Sequence, residues 1–177
     1  AKTEKIRLGT GIIQISSRVP AMIAMTAQSL SRVSSDRFIL GLGVSGPQVV
    51  EGLHGAEFSS PVARLEECAE IIKKAVAGQK VEFSGKHYQL PRLGGEGKAI
   101  KLSQNVRHIP MYLATLGPKA LELTGRVADG WLGTAFVPEH ANIFLDPMER
   151  GAKASGRNLE DIDIQVGGSF ELGDDVE

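Results

Sequence analysis

Strand-like and helix-like segments alternate along this chain, and that alternation constrains its fold more than any other feature. The first strand-like segment is nearly continuously apolar, as expected of a strand buried on both faces. Alternation of this kind produces parallel strands joined by right-handed crossovers, in either an open doubly wound sheet or an arc of a (β/α)8 barrel. The five predicted strands are 5–15, 37–44, 109–117, 129–136 and 162–170.

The predicted helices fill most of the gaps between these strands. One stretch, 79–108, breaks the alternation and is interpreted as a hairpin-like insertion with turns at Ser84-Gly85 and Gly94-Gly95. Residues 1–177 are expected to form a single domain. A complete barrel usually needs about 250 residues, so the sequence predicts a partial one. The predicted helices are 19–35, 61–77, 117–128 and 138–156.

Composition argues against several classes of partner. With 42% hydrophobic residues, 23% charged residues and a net charge of −1, neither nucleic acid nor a membrane is expected as a partner. The single cysteine, Cys68, and four scattered histidines lack metal-ligand spacing, so no metal site is expected. Glu66, Glu67 and Glu70 are expected to form a solvated helix face. With a single cysteine, a reducing, cytoplasmic setting is expected.

A predicted strand passes directly into a helix at "LATLGPKALELTGRVADGW", residues 113–131. The backbone N–H groups at such a helix start attract phosphate. Gly117 would let a ligand oxygen approach the backbone, Pro118 suits the first helical turn, and Thr115 could donate its hydroxyl hydrogen. Gly-Pro turns are common, however, and from this turn alone an ordinary connection is the more frequent interpretation.

Two other glycine-rich stretches also follow predicted strands. "GTGII", residues 9–13, would permit unusual peptide geometry against a planar ring, or it merely softens a strand end. "GLGVSG", residues 41–46, has the G-x-G-x-x-G spacing of a dinucleotide fingerprint. Because the next predicted helix starts only near Pro61, the dinucleotide interpretation is weak.

Four segments together resemble the luciferase-like monooxygenase superfamily, and within it the oxidoreductases that use the deazaflavin coenzyme F420. They are "IRLGTGII", "RFILGLGVSGPQVVEGLHG", "VEFSGKHYQLP" and "LATLGPKALELTGRVADGW". They occur in the family's order, and the resemblance covers essentially the whole chain. The resemblance implies a (β/α)8 TIM barrel of the bacterial-luciferase-like type with an insertion, of which this chain supplies about strands three to seven.

The resemblance also implies a cofactor site. The bond between Gly11 and Ile12 matches a non-prolyl cis peptide that presses on the cofactor ring in the family. The loop after the second predicted strand matches the segment along the ribityl and phosphate portion, and the turn at Gly117 matches the phosphate-binding turn. The expected cofactor-binding residues are therefore Gly11, Ile12, Val44, Ser45, Gly46, Thr115, Leu116, Gly117, Pro118 and Lys119.

The implied reaction is hydride transfer between C5 of the deazaflavin and a carbon of a small-molecule substrate. Where the family has an acidic residue after the second predicted strand, the corresponding positions here hold Pro47 and Gln48. We therefore assign no catalytic residue from the sequence. Two alternatives stay open, an FMN-dependent luciferase-like monooxygenase and a non-catalytic flavin-binding protein. Members of the superfamily often dimerise, so a homodimer is expected.

Overall fold

The computed structural model describes residues 3–102 and 108–167. The strands are β1 Leu8–Gly9, β2 Ile13–Gln14, β3 Phe38–Gly43, β4 Phe83–Ser84, β5 Gln89–Leu90, β6 Met111–Leu113, β7 Gly130–Gly133 and β8 Asp163–Val166. The α-helices are α1 Pro20–Val33, α2 Pro47–Val50, α3 Pro61–Val76, α4 Pro118–Val127 and α5 Asn142–Ala154. Short 3-10 helices lie at Pro138–His140 and Leu159–Asp161.

Six of the strands form one parallel sheet in the order β1-β3-β6-β7-β8, and β2 pairs with β3 beyond the end of β1. Along this sheet the strands follow one another in chain order. A doubly wound sheet would instead reverse its strand order at a switch point. The structure therefore selects the barrel arc from the two architectures that the sequence allows.

Side chains from opposite edges of the sheet meet on its concave face. Arg7 precedes β1, and its Nη2 lies 3.1 Å from Oδ2 of Asp163, the first residue of β8. The hydroxyl of Tyr112, on β6, donates to the same carboxylate. These hydrogen bonds, that of Tyr112 above all, lower the pKa of Asp163. Because β1 and β8 end the strand order, their contact through side chains shows that the sheet curls strongly.

The larger core lies between the convex face of this sheet and helices α1 and α3. Apolar side chains alternate along β3 and β6 with residues of the concave face, which gives each strand one buried apolar side. The buried side chains include Ile23, Ala27, Leu40, Leu42, Leu65, Ile72, Met111 and Leu113.

In the part of the chain that the structure describes, no helix is long and apolar enough to cross a membrane.

The predicted insertion contains the expected hairpin, in which β4 and β5 pair antiparallel. It docks on α3 through Glu67, whose carboxylate accepts three backbone N–H bonds, from Lys86 at 2.8 Å and from His87 and Tyr88 at 2.9 Å each. The expectation that Glu67 faces only solvent is therefore wrong. The remainder of the insertion includes 103–107, which lie outside the described residues.

The first predicted strand, 5–15, is present but is neither continuous nor buried on both faces. It consists of β1 and β2, and Leu8 and Gly9 are exposed. The side chain of Thr10 causes this break. Its Oγ1 donates to the carbonyl of Gly41 at 2.9 Å and accepts the Gly41 N–H at 3.0 Å, so a side chain replaces the backbone ladder there.

The remaining predicted elements are confirmed with different bounds. β6, β7 and β8 are shorter than the predicted strands, and residues 168–170 of the last one lie outside the described residues. The predicted helix 138–156 is divided into a 3-10 turn and α5. A short helix, α2, directly follows Gly46, where the sequence predicted only a loop. Pro47 at its first position favours one helical turn, because its φ is already helical.

Candidate functional site

A cleft of about 750 Å³ lies where β3, β6 and β7 end. In a barrel, the carboxyl ends of the strands form the ligand-binding face. Gly11 and Gly46 lie next in sequence to residues that line the cleft. The other eight predicted cofactor-binding residues all line it: Ile12, Val44, Ser45, Thr115, Leu116, Gly117, Pro118 and Lys119.

One wall of the cleft is formed by the segment between β2 and the preceding strand β1. The peptide bond between Gly11 and Ile12 is cis, which confirms the sequence-based expectation. Ile12 packs over β3, because a Cβ built on Gly43 would lie 2.3 Å from its Cδ1. Because Gly43 has no side chain, Ile12 can pack against β3 and line the cleft.

The opposite wall comes from residues that the sequence did not single out. Phe58 precedes α3, and Pro61, Val62 and Leu65 belong to its first two turns. In parallel α/β folds the helix that follows a strand starts near the edge where the strand ends. The position of Pro61 after the β3 loop was thus an available signal. Among the described residues that line the cleft, Lys119 is the one charged side chain.

Helix α4 begins at the rim of the cleft and has no side-chain cap. Gly117 is its N-cap residue, Pro118 lacks an N–H group, and the N–H of Leu121 donates to the Gly117 carbonyl at 2.9 Å. The amides of Lys119 and Ala120 are therefore first-turn donors without an intrahelical acceptor. With no acidic residue in this first turn, the positive end of the helix dipole faces the rim unopposed.

Gly117 occupies a backbone conformation that any residue can adopt, with φ −75° and ψ 152°. A Cβ built on it would meet no heavy atom within 4 Å in the part of the chain that the structure describes. Neither the conformation nor the packing of the protein requires a glycine here. The space next to Gly117 is available for a ligand, which favours the phosphate-turn interpretation over an ordinary connection.

Thr115 is held by the protein rather than directed at the cleft through its hydroxyl. Its Oγ1 lies 2.7 Å from Oγ1 of Thr124, and Thr124 donates its own hydrogen to the Ala120 carbonyl at 3.0 Å. A hydroxyl has one hydrogen, so the hydrogen of Thr115 goes to Thr124. Trp131 Nε1 donates to the Thr115 carbonyl at 2.9 Å. The expectation that Thr115 donates to a phosphate is therefore not supported.

Within the glycine-rich strand β3, the glycine at position 41 is explained by packing inside the protein rather than by a ligand. A Cβ on Gly41 would lie 1.9 Å from the Thr10 carbonyl oxygen, so the segment between β1 and β2 excludes a side chain there. Beyond the strand, Gln48 is exposed and Glu51 Oε1 accepts the Phe58 N–H at 3.2 Å. The carboxylate of Glu51 thus helps to position the loop that carries the Phe58 wall of the cleft.

Comparison with known sequences identifies the family. The profile of the luciferase-like monooxygenases matches residues 1–177. The chain belongs to this family. Its barrel arc is consequently a part of the luciferase-like (β/α)8 barrel, in agreement with the strand order described above.

Two relatives illustrate where the chain lies within the luciferase-like family. A protein of Mycobacterium tuberculosis, named provisionally as a coenzyme F420-dependent oxidoreductase, is 39% identical over 184 residues, which covers 99% of this chain and 53% of that protein. The 5,10-methylenetetrahydromethanopterin reductase of Methanolobus tindarius is 32% identical over 174 residues, covering 98% and 51%. The chain spans about half the length of the curated relatives it matches.

A solved structure of a related protein has the same fold. The coenzyme F420-dependent tetrahydromethanopterin reductase of Methanopyrus kandleri superposes with a TM-score of 0.80 at 28% identity. The match covers 93% of this chain and 50% of that one. The arc of five sheet positions from β1 to β8 therefore corresponds to a continuous part of a luciferase-like barrel.

Proposed function

We propose that this chain belongs to an F420-dependent oxidoreductase that transfers a hydride between the deazaflavin and an organic small-molecule substrate. The single observation that carries the proposal is the cleft at the strand ends, with an apolar wall on one side and the uncapped start of α4 on the other. The names of the M. tuberculosis relative and of the M. kandleri structure support the same cofactor.

The residues present fit this cofactor. Ile12, Val44 and Leu132 offer apolar surface to a planar ring, and burial of apolar surface is the main source of affinity in such sites. At the other side, the open space at Gly117, the amides of Lys119 and Ala120 and the Lys119 ammonium suit a phosphate. When bound, the deazaflavin supplies a carbon that gives or accepts the hydride.

The protein's own contribution in this proposal is binding, orientation and exclusion of water. Ile12 and the residues at the start of α3 would hold the cofactor ring against apolar surface, and their contact with it would displace water from the ring. We assign no acid or base, because Pro47 and Gln48 stand where a family acid is expected and Glu51 is engaged with the Phe58 N–H.

Titration of the protein with F420 and with FMN, followed by fluorescence, tests the cofactor assignment. We expect tighter binding of F420, and hydride exchange with a suitable substrate that proceeds equally well without oxygen. Preference for FMN with oxygen-dependent turnover would overturn the proposal in favour of a monooxygenase. Tight F420 binding with no hydride exchange across a panel of alcohols, aldehydes and imines would instead favour a non-catalytic flavin-binding protein.

Two further expectations stay predictions from the sequence. They are the homodimer and the cytoplasmic location.

A further inference from the structure

We propose that Thr124 and Trp131 are positioning residues that hold the 115–117 turn in the shape that binds the phosphate arm of the cofactor. This inference rests on the proposed function, because it concerns how the same cleft recognises one part of F420. Neither residue lines the cleft. Both act through Thr115.

The first contact comes from α4. Thr124 is fully buried, and its Oγ1 joins Thr115 Oγ1 at 2.7 Å to the Ala120 carbonyl at 3.0 Å. The Thr124 hydroxyl therefore links Thr115, where the 115–117 turn begins, to the first turn of helix α4. This link sets the distance between Thr115 and the helix start whose amides face the cleft.

The second contact comes from β7. Trp131 is fully buried, packs against Phe136 and Phe144, and donates Nε1–H to the Thr115 carbonyl at 2.9 Å. A tryptophan fixed by two aromatic neighbours is a rigid donor. The Thr115 backbone and side chain are thus held by separate elements, which leaves Leu116 and Gly117 to span a fixed gap.

A structural role alone would affect every ligand, whereas a role in shaping the phosphate turn affects only ligands that carry the phosphate. The test therefore uses two probes: F420, and the corresponding deazaflavin that keeps the ring and ribityl chain but lacks the phosphate arm. The variants are Thr124→Val, which keeps the shape without the hydroxyl, and Thr124→Ser, which keeps the hydroxyl. Thr26→Val is the matched control, because Thr26 also donates to the carbonyl four residues before it in a helix, that of Met22, at 2.8 Å.

We expect Thr124→Val to weaken F420 binding about 3- to 10-fold, as the loss of one hydrogen bond would predict, and to leave binding of the phosphate-free deazaflavin unchanged. Thr124→Ser should restore F420 binding, and Thr26→Val should change neither affinity. Trp131→Phe, which removes the Nε1 donor, should show the same selective loss and serves if Thr124→Val does not fold.

Equal loss for both probes, or no loss for either, would overturn the inference. So would selective loss in Thr115→Val without selective loss in Thr124→Val, since that result means direct contact between Thr115 and the phosphate. Failure of the proposed function is a different result: the unaltered protein would then bind FMN in preference to F420. Equal binding of F420 and the phosphate-free deazaflavin by the unaltered protein would overturn only the inference about the turn.

Discussion

Gly41 lies inside β3 and Gly117 is the N-cap residue of α4 at the rim of the cleft, and the molecule uses the two glycines in opposite ways. A Cβ on Gly41 would lie 1.9 Å from the Thr10 carbonyl oxygen, whereas a Cβ on Gly117 would meet no heavy atom of the described residues within 4 Å. The first glycine makes room for the protein's own chain. The second leaves room that the protein does not fill, and this contrast separates a packing position from a candidate ligand position.

Backbone amides show the same contrast. The N–H groups of Lys86, His87 and Tyr88 converge on an internal anion, the Glu67 carboxylate. The N–H groups of Lys119 and Ala120 converge on the cleft, and α4 has no side-chain cap. The two groups of backbone donors therefore differ in one respect, which is whether the chain itself supplies an acceptor for them.

The largest effect is expected for Gly41→Ala. The added methyl group would overlap a backbone oxygen that cannot rotate away, so we expect the free energy of unfolding to fall by about 3 kcal/mol. Denaturant unfolding measures it. Gly117→Ala is the matched control and should change stability by less than about 0.5 kcal/mol, since its backbone already suits alanine. Similar losses in the two variants would remove the basis of the comparison.

A smaller loss is expected for Glu67→Gln. The charged acceptor of three N–H bonds is replaced by a neutral amide, and we expect a loss of about 2 kcal/mol of unfolding free energy. Hydrogen exchange should show faster exchange of the amides of 86–88. The control is Glu70→Gln on the same helix, where an exposed pair with Lys74 at 3.3 Å contributes less than about 0.5 kcal/mol. Equal effects at both positions would contradict the internal-anion interpretation.

The Glu67 contacts also predict a pH dependence. Partial burial by itself would raise the pKa of Glu67, but the N–H groups of His87, Lys86 and Tyr88 outweigh it and hold the pKa below the ordinary 4.5. Because the folded-state pKa is the lower one, the stabilisation is present above 4.5 and is lost as the pH falls through the lowered value. The stability difference between the unaltered protein and Glu67→Gln should therefore shrink in acid.

The smallest effect, and the most informative one for function, is expected for Gly117→Ala. Its methyl group would occupy the space assigned to the phosphate, so F420 binding should weaken about tenfold, which corresponds to about 1.4 kcal/mol. Fluorescence titration measures this, and thermal unfolding should show no change. Unaltered F420 affinity would mean that no part of the ligand approaches Gly117.

The arc of the barrel could be predicted because the alternation of strands and helices is a local pattern with few topological solutions. The bounds of the first strand could not, because they depend on contacts distant in sequence. The break at Thr10 comes from its bonds to Gly41, a residue 31 positions away. Likewise, the curl of the sheet brings together Arg7 and Asp163, which are 156 positions apart.

The candidate site shows the same limit. The turn at Gly117 is visible in sequence, because a glycine and a proline mark the passage from strand to helix. Thr124 and Trp131 carry no such signal, since a buried threonine and a buried tryptophan are ordinary core residues until their partner is known. The role of Glu67 was mispredicted for this reason: the N–H groups that donate to its carboxylate lie 19 to 21 positions away in the hairpin.

Trp131 is the only tryptophan of the chain, and its indole is bonded to the carbonyl of the residue before the candidate phosphate turn. Tryptophan emission from this chain therefore originates at one known point, beside the cleft and shielded from water. An added yellow, absorbing ligand in the cleft would quench that emission by energy transfer. The chain thus contains its own optical probe, and occupancy of the cleft can be followed without attaching a dye.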